Sequence, residues 1–305
     1  MSILPKLLPW LPSAKRAIEA AGHPGLRILD GDDVHALNAL IDARPIEHIF
    51  LRNQLDEGIG PHRNGGFFLG LEEDKELVAA CWVGANVVPT LTTVHNGALF
   101  GTVVRNLRRN FASVFGPDQA VHGIWSTLRL GHQQAFGIRP NQPLLAISTT
   151  PKVEPAASVR PAQEHELNTV LPVSAAMFRE ELGFSPFVHG DNSYQERVRQ
   201  LIIDQHTLIG FDDQGYLNFK ADLGTVTADC AQVQGVYVPP HRRGKGASRR
   251  RQQRTGCTVD AERQTRRPSR TKRRKSFSRS RRYRPTSAAA PWLFTATFGQ
   301  GRIRR

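Results

Sequence analysis

The stretch "QGVYVPPHRRGKGASRRRQQRTG", Gln234 to Gly256, decides how this chain is read. The run that enters it, Val233 to Val238, is rich in β-branched and aromatic residues and predicts a strand. Pro239 and Pro240 cannot continue ladder pairing, so the strand stops there. Arg243-Gly244-Lys245-Gly246-Ala247-Ser248 follows. Glycines at these places let the backbone approach a ligand closely, with successive N–H groups aimed at phosphate oxygens. A helix opening at the turn would add its dipole. Arg242, Arg243 and Lys245 raise the local positive potential. A pyrophosphate is the natural partner of such a turn. The next residues, Ser-Arg-Arg-Arg-Gln-Gln-Arg, do not form the amphipathic helix that the turn calls for.

Upstream, the pattern alternates helices and strands. "SAAMFREELGF" (Ser174–Phe184) and "YQERVRQLIIDQ" (Tyr194–Gln205) have helical spacing, with Val198, Leu201 and Ile202 on one face. "TLIGFD" (Thr207–Asp212), "GYLNFKADLG" (Gly215–Gly224) and "CAQVQGVYVPP" (Cys230–Pro240) read as strands. This order predicts an α/β unit with a mixed sheet. A polar, Pro-rich linker, "TTPKVEPAASVRPA" (Thr149–Ala162), precedes it.

A similar opening occurs earlier. "LRILDGDDVHALNAL" (Leu26–Leu40) pairs at constant offset with "VRPAQEHELNTVL" (Val159–Leu171): Arg27 meets Arg160, Asp33 meets Glu166 and Val34 meets Leu167. Each reads as a short strand, an acidic capping turn and a helix. Two such starts suggest an internal duplication. The first unit continues with two strands in Gly65–Thr90 joined by a charged turn at Glu72–Glu76. A helix follows over Ala98–Asn110 with Arg105, Arg108 and Arg109 on its solvent side, then short strands at Ala112–Gly116 and Pro143–Thr149.

With these residues in view, the chain resembles the GNAT superfamily of acetyl-CoA-dependent N-acyltransferases. That family's signature is Arg/Gln-x-x-Gly-x-Gly/Ala after a central strand. Arg243, Gly246 and Ser248 stand at its fixed places, Ser248 departing from Gly or Ala. "MFREELGFSP", "GGFFLG" and "CWVGANVVP" are similar to phrases of a bacterial two-domain group whose N-terminal half is itself GNAT-like. The resemblance implies two tandem GNAT-like mixed-sheet domains, 26–148 and 149–248. The second is truncated, and a basic tail spans 249–305. It implies acetyl-CoA as co-substrate, with its pyrophosphate on Arg243, Gly244, Lys245, Gly246, Ala247 and Ser248, and its pantetheine arm on backbone groups of Val236, Tyr237 and Val238. It further implies direct transfer to the amine of a small molecule or protein, helped by positioning and carbonyl polarisation. Asp222, Asp229 and Tyr237 are the candidate bases beside the central strands, and His241 flanks the turn. The resemblance names no acceptor.

The family pattern breaks at Ala247–Ser248. Residues 249–305 carry 19 Lys+Arg against 2 Asp+Glu, a net of +17, so the rest of a chain of net charge +14 stands at −3. Among Val, Ile and Leu the tail holds only Val259, Leu293 and Ile303. Such a segment does not offset its ordering entropy by burial, which predicts disorder. Three readings of it stand open: translation out of frame after codon 247, a nucleic-acid-binding arm with Phe277 and Tyr283 for stacking, and an inert extension.

The three cysteines, Cys81, Cys230 and Cys257, have no metal-ligand spacing and suggest a reducing compartment. Lys6 and three prolines interrupt the first apolar run, and no segment is long enough to cross a bilayer. A cytoplasmic protein without a metal or a membrane partner is expected. The functional readings are an N-acetyltransferase, a non-catalytic acyl-CoA-binding or regulatory protein, and a nucleic-acid binder acting through its tail.

Overall fold

The computed structural model describes residues 10–60, 66–147, 158–187, 192–243 and 292–298, the last by backbone alone. The chain forms two compact units, residues 1–146 with 281–305 and residues 147–280.

In the first unit, α1 (Leu11–Glu19) precedes β1 (Leu26–Ile28). A 3-10 turn at Gly31–Asp33 leads into α2 (Val34–Asp42) and α3 (Ile49–Asp56). Next come β2 (Phe67–Glu73), β3 (Glu76–Val83) and β4 (Asn86–Pro89), then α4 (Val94–Asn106), β5 (Ser113–Pro117), α5 (Asp118–Leu128) and β6 (Ala135–Pro143). The β2 and β3 strands read "FFLGL" and "VAACWV" because both faces of the sheet are covered. Phe67, Leu69, Cys81 and Val83 pack with Ala14, Phe100, Val103 and Ile124 of α1, α4 and α5. Phe68, Ala80 and Trp82 point the other way, onto Leu37, Ile41 and Leu51 of α2 and α3. Asp74 and Lys75 take φ of +50° and +69°, the left-handed pair that a tight two-residue hairpin uses. α4 and α5 meet nearly backbone to backbone: a Cβ at Gly97 would stand 2.2 Å from the Ala120 carbonyl oxygen, and one at Gly123 2.1 Å from that of Val94.

The second unit holds β7 (Val159–Pro161), a 3-10 turn at Glu164–Glu166, α6 (Leu167–Leu182), α7 (Ser193–Ile203), β8 (Thr207–Phe211), β9 (Leu217–Val226) and β10 (Ala231–Tyr237). Its sheet order is β10-β9-β8-β7, antiparallel throughout. Val170, Val198, Ile202 and Ile209 bury one face under the helices. Val159, Leu208, Phe219 and Ala221 line the other with Val236 and Val238.

The two units open with the same device in the same topology. β1-β2-β3-β4 and β7-β8-β9-β10 have the same order and antiparallel pairing, with a 3-10 turn and two helices after the first strand. Asp33 takes the backbone N–H of Asp30 (2.9 Å) and Glu166 takes that of Gln163 (2.8 Å). The repeat suggested by the sequence is therefore present in the backbone.

Several expectations are corrected. Residues 76–89 are two strands, broken at Gly84–Ala85, where one was expected. Arg109 lies beyond α4 and not on its solvent side: its guanidinium donates to the Val83 carbonyl (2.9 Å) and lies over the rings of Phe67 and Phe111. The strand expected at Pro143–Thr149 instead ends at Pro143 and begins at Ala135. α6 runs unbroken through Pro172, which is exposed and so keeps its ring off the sheet. The tail was expected to be disordered, yet β11 (Trp292–Phe298) forms between β5 and β6, antiparallel to both. "WLFTATF" is its β-forming run. The first unit's sheet order is thus β1-β2-β3-β4-β5-β11-β6, with β4 and β5 parallel. Residues 249–291 and 299–305 lie outside the described residues.

Candidate functional site

Among the described residues β10 is an edge strand of its sheet, and its register against β9 slips in the middle. Gln234 pairs with Asp222, but Tyr237 pairs with Lys220, so β10 carries one extra residue over this span. Gly235 sits in the slip with φ of +57°, a conformation that suits glycine. A Cβ there would stand 2.9 Å from Asp222 Oδ2 and 3.3 Å from Met177 Sδ, so glycine also meets a demand for space. A bulge turns backbone groups out of the ladder, and bulges gather beside active sites. Beyond it, Pro239 leads into a 3-10 turn at Pro240–Arg242.

The turn's arginines are already engaged. Arg243 donates to both carboxylate oxygens of Glu180 (2.6 and 2.8 Å), and its Nε donates to the Val238 carbonyl (2.8 Å). Its guanidinium lies 5.5 Å over the Tyr237 ring. Hydrogen bonding to Arg243 holds the Glu180 carboxyl below the usual range. Arg242 pairs with Asp212 at 2.7 Å, and Asp212 also accepts the backbone N–H groups of Gln214 and Tyr216. Those backbone bonds come first in holding the Asp212 carboxyl low. A cleft of about 590 Å³ borders this turn, lined by Thr169, Val173, Tyr216 and His241 among others. Arg242 Nε is buried and has no hydrogen-bond partner among the described residues.

The structure does not bring the three candidate bases together. Asp222 is buried, with Oδ1 accepting from Thr207 (2.9 Å) and Oδ2 ion-paired to Lys220, itself 2% exposed. Asp229 is exposed in the turn between β9 and β10, before β10 begins, whereas the basic turn follows its other end. Tyr237 lies under Arg243. Sequence reasoning missed Tyr194, whose ring meets Phe178 and Phe187 edge-on. Burial, then the Asp222 charge, pushes its hydroxyl pKa up. Its place on a helix of mixed polarity gave no signal for this. Val236, Tyr237, Val238 and Arg243 are described; Gly244, Lys245, Gly246, Ala247 and Ser248 lie outside the described residues.

The first unit shows the same corner closed. β4 is the counterpart of β10, and the turn after it, Thr90–Thr93, is the counterpart of the basic turn. There the Thr90 N–H donates to the Ala80 carbonyl (2.8 Å) and the Leu91 N–H donates to His48 Nε2 (2.9 Å). His48 Nδ1 in turn donates to the Ile41 carbonyl (3.2 Å). These two N–H groups are satisfied from within.

Among the described residues, no group of three or more His, Cys, Asp or Glu is placed to hold a metal ion, and no helix is long and apolar enough to cross a membrane. A family profile described as a domain of unknown function, DUF4081, matches residues 66–170, from the start of β2 into α6. No curated protein matches. Four solved chains match. One is a Drosophila protein from the Northeast Structural Genomics Consortium, with 13% identity and a TM-score of 0.44 over 76% of this chain and 86% of that one.

Proposed function

We propose that the second unit binds acetyl-CoA along the outer edge of β10 and that the protein is an N-acetyltransferase of the GNAT kind. The observation that carries this reading is the Gly235 bulge in an edge strand that runs into a proline-terminated basic turn. An open strand edge offers alternating N–H and C=O groups to the two amides of a pantetheine arm, much as it would to another strand. Arg242 and Arg243 supply positive charge where the pyrophosphate would lie. Arg243 must exchange Glu180 for phosphate, and this exposed ion pair offers little resistance. The acceptor is an amine of unassigned identity.

A second reading has its own support. Asp222 is ion-paired with Lys220, and Asp229 stands at the far end of the hairpin, so neither candidate carboxylate is available at the bulge. This favours a protein that binds acyl-CoA without transferring the acyl group. Nucleic-acid binding would rest on residues 249–305, of which 249–291 and 299–305 lie outside the described residues.

Isothermal titration of the full chain with acetyl-CoA tests both acyl-CoA readings. Saturable binding that weakens in Arg243→Ala supports them, and absence of binding overturns both. Release of CoA thiol with a panel of amines then separates enzyme from binder.

A further inference from the structure

We propose that β10 pairs with the β10 of a second copy of this chain, joining two four-stranded sheets across a two-fold axis. The two edges of the second unit's sheet differ. β7 is guarded: it has three residues and ends in Pro161. β10 has seven residues, Ala-Gln-Val-Gln-Gly-Val-Tyr, with no charge and no proline. Natural edges are blunted by short length, charge or proline, because an unpaired row of N–H and C=O groups invites another strand. Val233 is 46% exposed on this edge, although its partner across the ladder, Leu223, is fully buried.

The first unit shows how the corner is completed. β4 occupies the place of β10 in the same sheet order, and there β5 covers it. The two pair only at Asn86–Ser113 and Val87–Val114, in the first half of β4. The equivalent half of β10 is Ala231–Gln234, before the Gly235 bulge. A partner strand there leaves Val236–Val238 open, so the inference does not depend on the acyl-CoA reading and does not compete with it.

Among the described residues, no strand of this chain is left to cover that edge. Residues 244–291 contain one residue among Val, Ile and Leu, Val259, and no alternating apolar run. The β-forming stretch that follows, Trp292–Phe298, is paired on both sides within the first unit. On this proposal the cover comes from another molecule. A second β10 is uncharged and identical in length, and an isologous pair uses up both open edges, so association closes at two.

Light scattering on the full chain during size-exclusion chromatography, over a concentration series, tests this. Wild type should show twice the single-chain mass of 33.9 kDa. Val233→Lys places two like charges beside the axis and should halve the mass while leaving the circular dichroism spectrum unchanged. If Val233→Lys does not fold, Gln232→Lys serves the same purpose. A single-chain wild type overturns the proposal. So does a double mass that survives in the folded edge variant, including one abolished only by deleting residues 249–291.

Discussion

Arg27 grips Asp33 through two parallel hydrogen bonds of 2.7 and 2.6 Å, and Arg160 repeats the grip on Glu166 at 2.8 and 2.7 Å. In both units the gripped carboxylate also closes the capping box of the 3-10 turn that precedes the helix. The arginine fixes the strand before the turn to the helix after it. Asp33→Ala should cost about 2 kcal/mol, from a lost cap and a lost bidentate pair. Glu166→Ala should cost less, since Arg160 is more exposed. Urea unfolding of each variant measures the two effects.

The same pairs set an acid limit. Hydrogen bonds from Arg27 and Arg160 lower the pKa of Asp33 and Glu166 in the folded chain. Their contribution is fully present above the unfolded values of about 4 and is lost as pH falls through the lower folded values. Asp33→Asn should flatten the fall of melting temperature with acid below about pH 4.

His48 acts at higher pH. Burial lowers its pKa, so the folded chain holds the neutral ring that accepts the Leu91 N–H. A depressed histidine favours folding above the unfolded value of about 6.5, and stability falls as pH drops from there through the folded value. Arg44 adds to the depression by its charge. His48→Ala should remove this slope and cost about 1–3 kcal/mol for the unpaired N–H. Melting curves between neutral and mildly acid pH check it.

Lys220 and Asp222 should behave as one unit. Lys220→Met leaves a buried carboxylate unpaired and should cost about 3–5 kcal/mol, whereas Lys220→Met with Asp222→Leu should recover most of the loss. A double-mutant cycle by denaturant unfolding reads the coupling. Additive costs would show that the pair does not compensate itself.

Glu180 competes with any anion for Arg243. Glu180→Gln should tighten acetyl-CoA binding, and Arg243→Ala should weaken it by roughly tenfold, the lower end for a charge-assisted pair. Titration calorimetry on both variants decides. An unchanged affinity in both would remove the turn from the site.

Much of this was legible before the fold was seen. Arg27, Asp33, Arg160 and Glu166 marked the repeat because a capping carboxylate and its arginine keep fixed spacing. β8, β9 and β10 were legible because their β-branched runs are bounded by turns. Three features were not. The break at Gly84–Ala85 hides in one apolar run, since both faces of that sheet are buried and alternation vanishes. Pro172 looks like a helix end unless its exposure is known. At the site, Asp222 looked available because its neutralising partner, Lys220, reads from sequence as an ordinary surface lysine.

β11 bears on how the protein is made. Among the described residues β6 pairs with β11 alone, and β11 lies about 150 residues later in the chain. The strands made first therefore cannot finish their sheet until the roughly 150 intervening residues have left the ribosome. Until then β5 and β6 wait with unpaired edges, a long-range closure of the slow and aggregation-exposed kind.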